Sequence, residues 1–85
     1  MSYYLYILKS YTGKYYIGAT SNIENRVEYH NKGKVKSTKS HRPWKLIYNE
    51  KYNTLSEARK RESQIKGWKS RKAIERLILA LSSIG

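Results

Sequence analysis

The chain opens with YYLYILKS from Tyr3 and KYYIGAT from Lys14, a run of aromatic and aliphatic residues broken once, at Thr12-Gly13. Such a run reads as two strands over 3–9 and 14–19 joined as an antiparallel hairpin. That constrains everything after it, because an isolated hairpin is marginal in water and needs a third strand or a helix laid on it. A three-residue loop Tyr11-Thr12-Gly13, with Gly13 in the left-handed conformation, is a common connection when Gly comes third. It sets Ser10 opposite Lys14, Leu8 opposite Tyr16 and Tyr6 opposite Gly18. Tyr6 and Tyr16 then share a face as diagonal neighbours, beside open space left by Gly18.

The remaining segments supply that cover. Ser21-Asn22-Ile23-Glu24 offers a capping box, with Ser21 as N-cap and Glu24 at N3, and Gly33 is a suitable stop after Lys32. A basic loop runs to Pro43. Trp44–Tyr52 reads as a third strand, with Trp44, Leu46 and Tyr48 on one face and Ile47 on the other. Thr54-Leu55-Ser56-Glu57 is a second capping box opening a helix to about Lys66, before Gly67. Ser70 can cap a third helix, whose Ile74, Leu77, Ile78 and Leu81 follow the amphipathic i, i+3, i+4, i+7 stripe. The order is β-β-α-β-α-α, an α+β fold with a small three-stranded antiparallel sheet flanked by helices, expected as a single domain over residues 1–85.

Charge narrows the partner. Eighteen Lys and Arg against six acids give a net charge of +12 in 85 residues, which points to a polyanion. One concentration is Lys32, Lys34, Lys36, Lys39, Arg42 and Lys45 with His41 among them; the other runs from Arg59 to Arg76 and includes Lys66. No helix pairs a basic face with a Trp- or Phe-rich apolar one, so a membrane partner is not expected. Hydrophobic residues, at 39%, are too few and scattered for a membrane span. There is no basic segment leading into an apolar run, so no signal peptide is expected. Zero cysteines fit a cytoplasmic protein. Nucleic acid is the expected partner.

The acids sharpen this. There is no aspartate, and the six glutamates are dispersed. A two-metal nuclease site needs several carboxylates converging on ions about 4 Å apart. Cleavage by this chain would therefore use one metal and one protein carboxylate.

Helical projection picks out three polar residues on apolar faces. Counting about 100° per residue from Ile23, Val27 lies near +40°, His30 near −20° and Arg26 near −60°. From Leu55, Ala58 falls at about −60°, Ile65 at about −80° and Glu62 at about −20°. Each has an ordinary reading and a functional one: Arg26 snorkels or meets a ligand, Glu62 bridges a neighbouring cation or binds a metal. Six of the nine tyrosines lie between residues 3 and 16, and the chain has no Phe. Phenols there either fill the sheet or do chemistry. Together the set is a list of parts for metal-assisted phosphodiester hydrolysis.

These residues resemble the GIY-YIG nuclease superfamily, which includes homing endonucleases, some restriction enzymes and the N-terminal domain of the excinuclease C subunit. YIG is literal as Tyr16-Ile17-Gly18, and GIY is degenerate as Tyr4-Leu5-Tyr6. Arg26 follows Tyr16 by ten residues and His30 follows by four more, the family's spacing for its helix-borne Arg and His or Tyr. Glu62, in S-E-A-R-K-R-E, stands where the family carries its metal-binding Glu. The resemblance extends to H-R-P-W-K-L-I-Y and is greatest to the small stand-alone bacterial members.

It implies a metal-dependent endonuclease acting on DNA rather than RNA, related to DNA-repair enzymes. Glu62 would hold one Mg²⁺ or Mn²⁺, and Arg26 would bind the scissile phosphate. Tyr16 or Tyr6 would orient and deprotonate the attacking water, with His30 in the same network. Lys32, Lys34, Lys36, Lys39, Arg42 and Lys66 are expected to contact nucleic acid. Relatives usually carry a second, target-recognising domain and none is expected here, so low sequence selectivity is expected, with targeting left to a possible protein partner. The alternative is a catalytically weak nucleic-acid-binding module on the same scaffold.

Overall fold

The structure, a computed structural model, describes residues 2–84, with side chains to residue 80. Strand β1 (Tyr3–Ser10) pairs antiparallel with β2 (Tyr15–Thr20) on one side and β3 (Trp44–Tyr52) on the other, giving the order β2-β1-β3. Helices α1 (Ile23–Asn31), α2 (Leu55–Gly67) and α3 (Arg71–Ile84) complete the expected β-β-α-β-α-α order, with a 3₁₀ turn at Lys39–His41. The two hairpin strands each end one residue later than the sequence pattern suggests.

The hairpin register is the expected one: Leu8 faces Tyr16 and Tyr6 faces Gly18. Gly13, at φ +90°, makes the turn, and Ser10 and Lys14 close it through a 2.9 Å bond from Ser10 N–H to the Lys14 carbonyl. The Ser10 hydroxyl accepts from the Thr12 and Lys14 amides at 3.2 and 3.1 Å. A buried serine thus satisfies the tip of the hairpin from inside.

Alternation along β1 splits the core between the two sheet faces. Tyr6, Leu8 and Trp44 are buried on one, against Tyr16, Leu46 and the Ile23 and Val27 side chains of α1. Leu5, Ile7, Ile17 and Tyr48 are buried on the other, against Ile65 of α2 and Ile74, Leu77 and Ile78 of α3. Leu5, Ile7, Leu8 and Ile65 have no exposed surface, each contributing about 1.5–3 kcal/mol of transfer free energy. The Leu81 expected on the same α3 stripe lies outside the described side chains.

Three expectations need correction. Tyr48 is not on the Trp44 face. The β1–β3 register shifts between Ile7↔Tyr48 and Leu8↔Leu46, so Ile47 is an extra residue and every side chain beyond it changes face. The N-cap of α1 is Asn22, not Ser21: Asn22 Oδ1 accepts from the Asn25 amide at 3.0 Å, so the Ser21–Glu24 box does not form. Both residues are competent caps, and Asn22 is fixed in place by its backbone N–H, which donates to Thr20 Oγ1 at 3.1 Å. Helix α2 runs through Gly67 to a Trp68 cap, and the left-handed residue that turns the chain is Lys69, at φ +49°. Trp68 packs on the core and holds the last turn helical.

The other two caps form as expected. Thr54 accepts from the Glu57 amide at 3.2 Å and Ser70 from the Ala73 amide at 3.3 Å. Asn31, at the end of α1, pairs with both main-chain groups of Trp44, at 2.6 and 3.0 Å. That clamp fixes the C-terminal half of α1, and so His30, against the start of β3.

Candidate active site

A cleft of about 600 Å³ opens at the β2 edge, where the two helical layers approach each other around the free side of that strand. Tyr6, Tyr16, Gly18 and Ala19 of the hairpin, Arg26 of α1, and Arg59, Glu62, Ser63 and Lys66 of α2 line it. Four of the five expected chemical residues, Tyr6, Tyr16, Arg26 and Glu62, therefore meet in one cavity. The fifth, His30, lies fully buried behind the two phenols, its ring centroid 4.5 Å from Tyr16 and 6.3 Å from Tyr6.

The space expected over Gly18 is filled. A Cβ at Gly18 would stand 2.5 Å from the Tyr6 Oη and 2.6 Å from its Cζ. The phenol of Tyr6 lies directly on the strand opposite, and only glycine permits it. The Tyr6 hydroxyl reaches back to His30 Nε2 at 3.3 Å, and His30 Nδ1 meets Thr38 Oγ1 at 2.9 Å. Tyr16 stacks beside them, 6.2 Å from Tyr6 between centroids, and is only partly buried. Its hydroxyl has no hydrogen-bond partner among the described residues.

Burial separates the two phenols chemically. Burial first, and the neighbouring Tyr16 next, push the Tyr6 phenol well above its ordinary value, with Arg26 opposing. Tyr6 stays protonated across the physiological range. His30 moves down, first because it is buried and then because Arg26 is near, so its imidazole is neutral at pH 7.

Arg26 is exposed rather than set into the apolar face of α1. Its guanidinium lies 5.5 Å from the Tyr29 ring centroid, and among the described residues no carboxylate pairs with it. Glu62 is partly buried in the cleft wall, its side chain 23% exposed, and is bridged by Lys66 Nζ at 2.6 Å. The salt-bridge and metal readings of Glu62 thus meet at one carboxylate.

Among the described residues, Glu62 is the one carboxylate lining the cleft, an oxygen donor of the kind a hard cation takes. No group of three His, Asp or Glu side chains converges among the described residues. A Mg²⁺ or Mn²⁺ at Glu62 would take its other oxygens from water and from phosphate, as Mg²⁺ commonly does in phosphoryl-transfer sites.

The expected nucleic-acid contacts divide. Lys66 is in the cleft, but through Glu62. Lys34, Lys36, Lys39 and Arg42 are exposed on the loop after α1, outside the cleft lining. Lys32 is bridged to Glu28 at 2.8 Å on an exposed helix face, and Arg42 Nε donates to the Lys39 carbonyl at 2.8 Å. The residue that sequence reasoning misses is Arg59. Its signal is present: Arg59, Glu62, Ser63 and Lys66 fall at i, i+3, i+4 and i+7 and share one face of α2.

Comparison with known proteins agrees with this geometry. A model of the GIY-YIG catalytic domain matches residues 2–75. UPF0213 proteins of Staphylococcus aureus strains Mu3 and Mu50 are each 45% identical over 74 residues, spanning 86% of this chain and 90% of theirs. The solution NMR structure of a UPF0213 protein from Bacillus halodurans superposes with a TM-score of 0.61 at 31% identity, covering 94% of this chain and 85% of that one. Among the described residues no helix is long and apolar enough to cross a membrane.

Proposed function

The chain belongs to the GIY-YIG catalytic domain family, and on that premise we propose that it is a metal-dependent endonuclease hydrolysing phosphodiester bonds in DNA with low sequence selectivity. The observation that carries this reading is the meeting of Tyr6, Tyr16, Arg26 and Glu62 in one cleft rimmed by cations. A binding module needs the cations; it has no use for a half-buried carboxylate aimed into the same space.

Roles follow from the environments. Tyr16, whose oxygen is open to the cleft, orients the attacking water and, acting as the phenolate after its own proton has passed to solvent, takes the water's proton. Tyr6 is too deeply buried to ionise and instead positions groups as a neutral hydroxyl. Arg26 and Arg59, on opposite walls, hold the scissile phosphate and stabilise its charge as it grows in the transition state. A divalent ion at Glu62, when bound, would polarise a phosphate oxygen and stabilise the leaving alkoxide. Lys66, which bridges Glu62 in this structure, would then be left to pair with the DNA backbone. Arg and Lys side chains read phosphates rather than base edges, which supports weak selectivity.

The test is incubation with supercoiled plasmid, single-stranded and branched DNA in Mg²⁺ or Mn²⁺ against EDTA. Cleavage in metal and none in EDTA is expected. Glu62→Gln should abolish cleavage while leaving the fold and DNA affinity nearly intact, because the shape stays and the ligand goes. If Glu62→Gln cuts like the parent, Glu62 only anchors Lys66, and a nucleic-acid-binding module becomes the better reading.

A further inference from the structure

Behind the cleft runs a buried hydrogen-bond chain that leaves one direction for its protons. Thr38 is 2% exposed, with its main chain pinned on three sides. Its amide donates to the Val35 carbonyl at 3.1 Å, and its own carbonyl accepts from the His41 amide at 3.2 Å and from Trp44 Nε1 at 2.8 Å. Its hydroxyl lies 3.3 Å from the Val35 carbonyl and 2.9 Å from His30 Nδ1. A carbonyl can only accept, so the one arrangement that makes both contacts puts the Thr38 hydrogen on Val35 and has the Thr38 oxygen accept from His30; turned to His30 instead, that hydrogen would leave the Val35 contact unmade. The neutral imidazole then carries its hydrogen on Nδ1. Its Nε2 is left as a bare acceptor, and at 3.3 Å it faces the Tyr6 hydroxyl.

We propose that Thr38 is a positioning residue for the catalytic centre: it fixes the Nδ1–H tautomer of His30, which obliges Tyr6 to donate inward and to present an oxygen that only accepts hydrogen bonds toward the cleft. This rests on the nuclease reading for its consequence and not for its chemistry. A Tyr6 oxygen that accepts can hold a water hydrogen or the Tyr16 hydroxyl in a fixed direction. A Tyr6 that donated outward would point a hydrogen at the same water and turn it away. Thr38 also sits between Lys36 and Lys39, so the loop that carries these basic side chains also carries the anchor of the relay.

The tautomer can be read directly from the imidazole ¹⁵N spectrum of the intact protein at neutral pH, with no nuclease assay. We expect the wild type to place the hydrogen of His30 on Nδ1. Thr38→Val, which keeps the shape and removes the acceptor, should move much of the population to Nε2–H; Thr38→Ser should restore Nδ1–H. Tyr6→Phe should leave Nδ1–H in place, because the anchor lies on the other nitrogen. A wild-type spectrum showing Nε2–H overturns the proposal, as does a Thr38→Val spectrum identical to wild type. In cleavage, Thr38→Val should lower kcat about tenfold with KM unchanged, with Thr38→Ser near wild type. If no DNA is cut by any variant while the tautomer shifts as described, the nuclease reading fails and the relay stands.

Discussion

At the β3–α2 contact, Tyr48, Tyr52, Glu50 and Arg61 close on one another; at the β2 edge, Tyr6, Tyr16, Arg26 and Glu62 surround a cavity. Both groups mix phenols, a guanidinium and a carboxylate on one small sheet. In the first, Arg61 grips both oxygens of Glu50, at 2.9 and 3.2 Å, while the Tyr48 hydroxyl and, at 2.6 Å, that of Tyr52 donate to the same carboxylate. Arg61 also lies 5.6 Å from the Trp68 ring centroid. Both charges of this group have a partner within it. In the second, among the described residues, Arg26 has no carboxylate partner and the Tyr16 hydroxyl no hydrogen-bond partner, while Glu62 holds one exposed lysine. Residue types alone do not tell a staple from a site; the bonds left unmade do.

The contrast is most strongly tested where the open cluster is tightest. Gly18→Ala puts a methyl carbon 2.5 Å from the Tyr6 hydroxyl, and that ring is held from behind by His30. We expect Tyr6 to be displaced, with cleavage slowed about 10²-fold, the loss typical of about 1 Å of misplacement. Overpacking should also cost about 1–3 kcal/mol in urea melts. Normal cleavage by this variant would mean that the Tyr6 position is irrelevant to chemistry.

The closed cluster should respond in stability alone. Burial pushes the Glu50 carboxyl up, but the bonds from Arg61, Tyr48 and Tyr52 outweigh it and hold it below its ordinary value of 4.5. A carboxylate depressed in the folded state contributes stability that is full above its unfolded value and is lost as pH falls through the folded one. Glu50→Gln should therefore be less stable than wild type by about 1.5–3 kcal/mol at pH 7, a gap that shrinks below about pH 4.5. A gap that persists unchanged at pH 3 would show that the charge of Glu50 is not what holds β3 to α2.

A smaller effect separates the exposed loop from both clusters. Neutralising Lys34, Lys36 and Lys39 together should flatten the salt dependence of DNA binding by about 0.9 for each phosphate these side chains neutralise in the parent. Cleavage at saturating DNA should survive. An unchanged slope would place the nucleic acid elsewhere.

How much of this is legible in the sequence follows the range of the forces involved. The hairpin register is readable because a Gly-third loop fixes it locally, and Thr54 and Ser70 are readable as caps because capping acts within three residues. The Ile47 bulge is not readable: Leu46 and Ile47 are both apolar, and which one is extra depends on β1 across the sheet. Asn22 and Ser21 are equally good caps in sequence. Tyr6, Tyr16, Arg26, His30, Glu62 and Lys66 can be nominated from spacing, charge and resemblance, but Arg59 becomes cleft wall only once α2 is laid along β2. Thr38 has no periodic signal at all, since its burial comes from Trp44 and His30, which reach it from two other elements.

The most direct test pairs one phenol from each cluster: single-turnover cleavage and thermal melting of Tyr16→Phe beside Tyr48→Phe. Burial, then the bond to Glu50, push the Tyr48 hydroxyl up to about 12, which marks it as a donor and not a base. We expect Tyr16→Phe to melt close to wild type and to cut about 10² to 10⁴ times more slowly, the loss of a general base. Tyr48→Phe should lose about 1.5 kcal/mol of stability, as for a bond to a charged group, and cut at the wild-type rate. Wild-type cleavage by Tyr16→Phe would contradict the assignment, and the open cluster would then be no more a catalytic centre than the closed one.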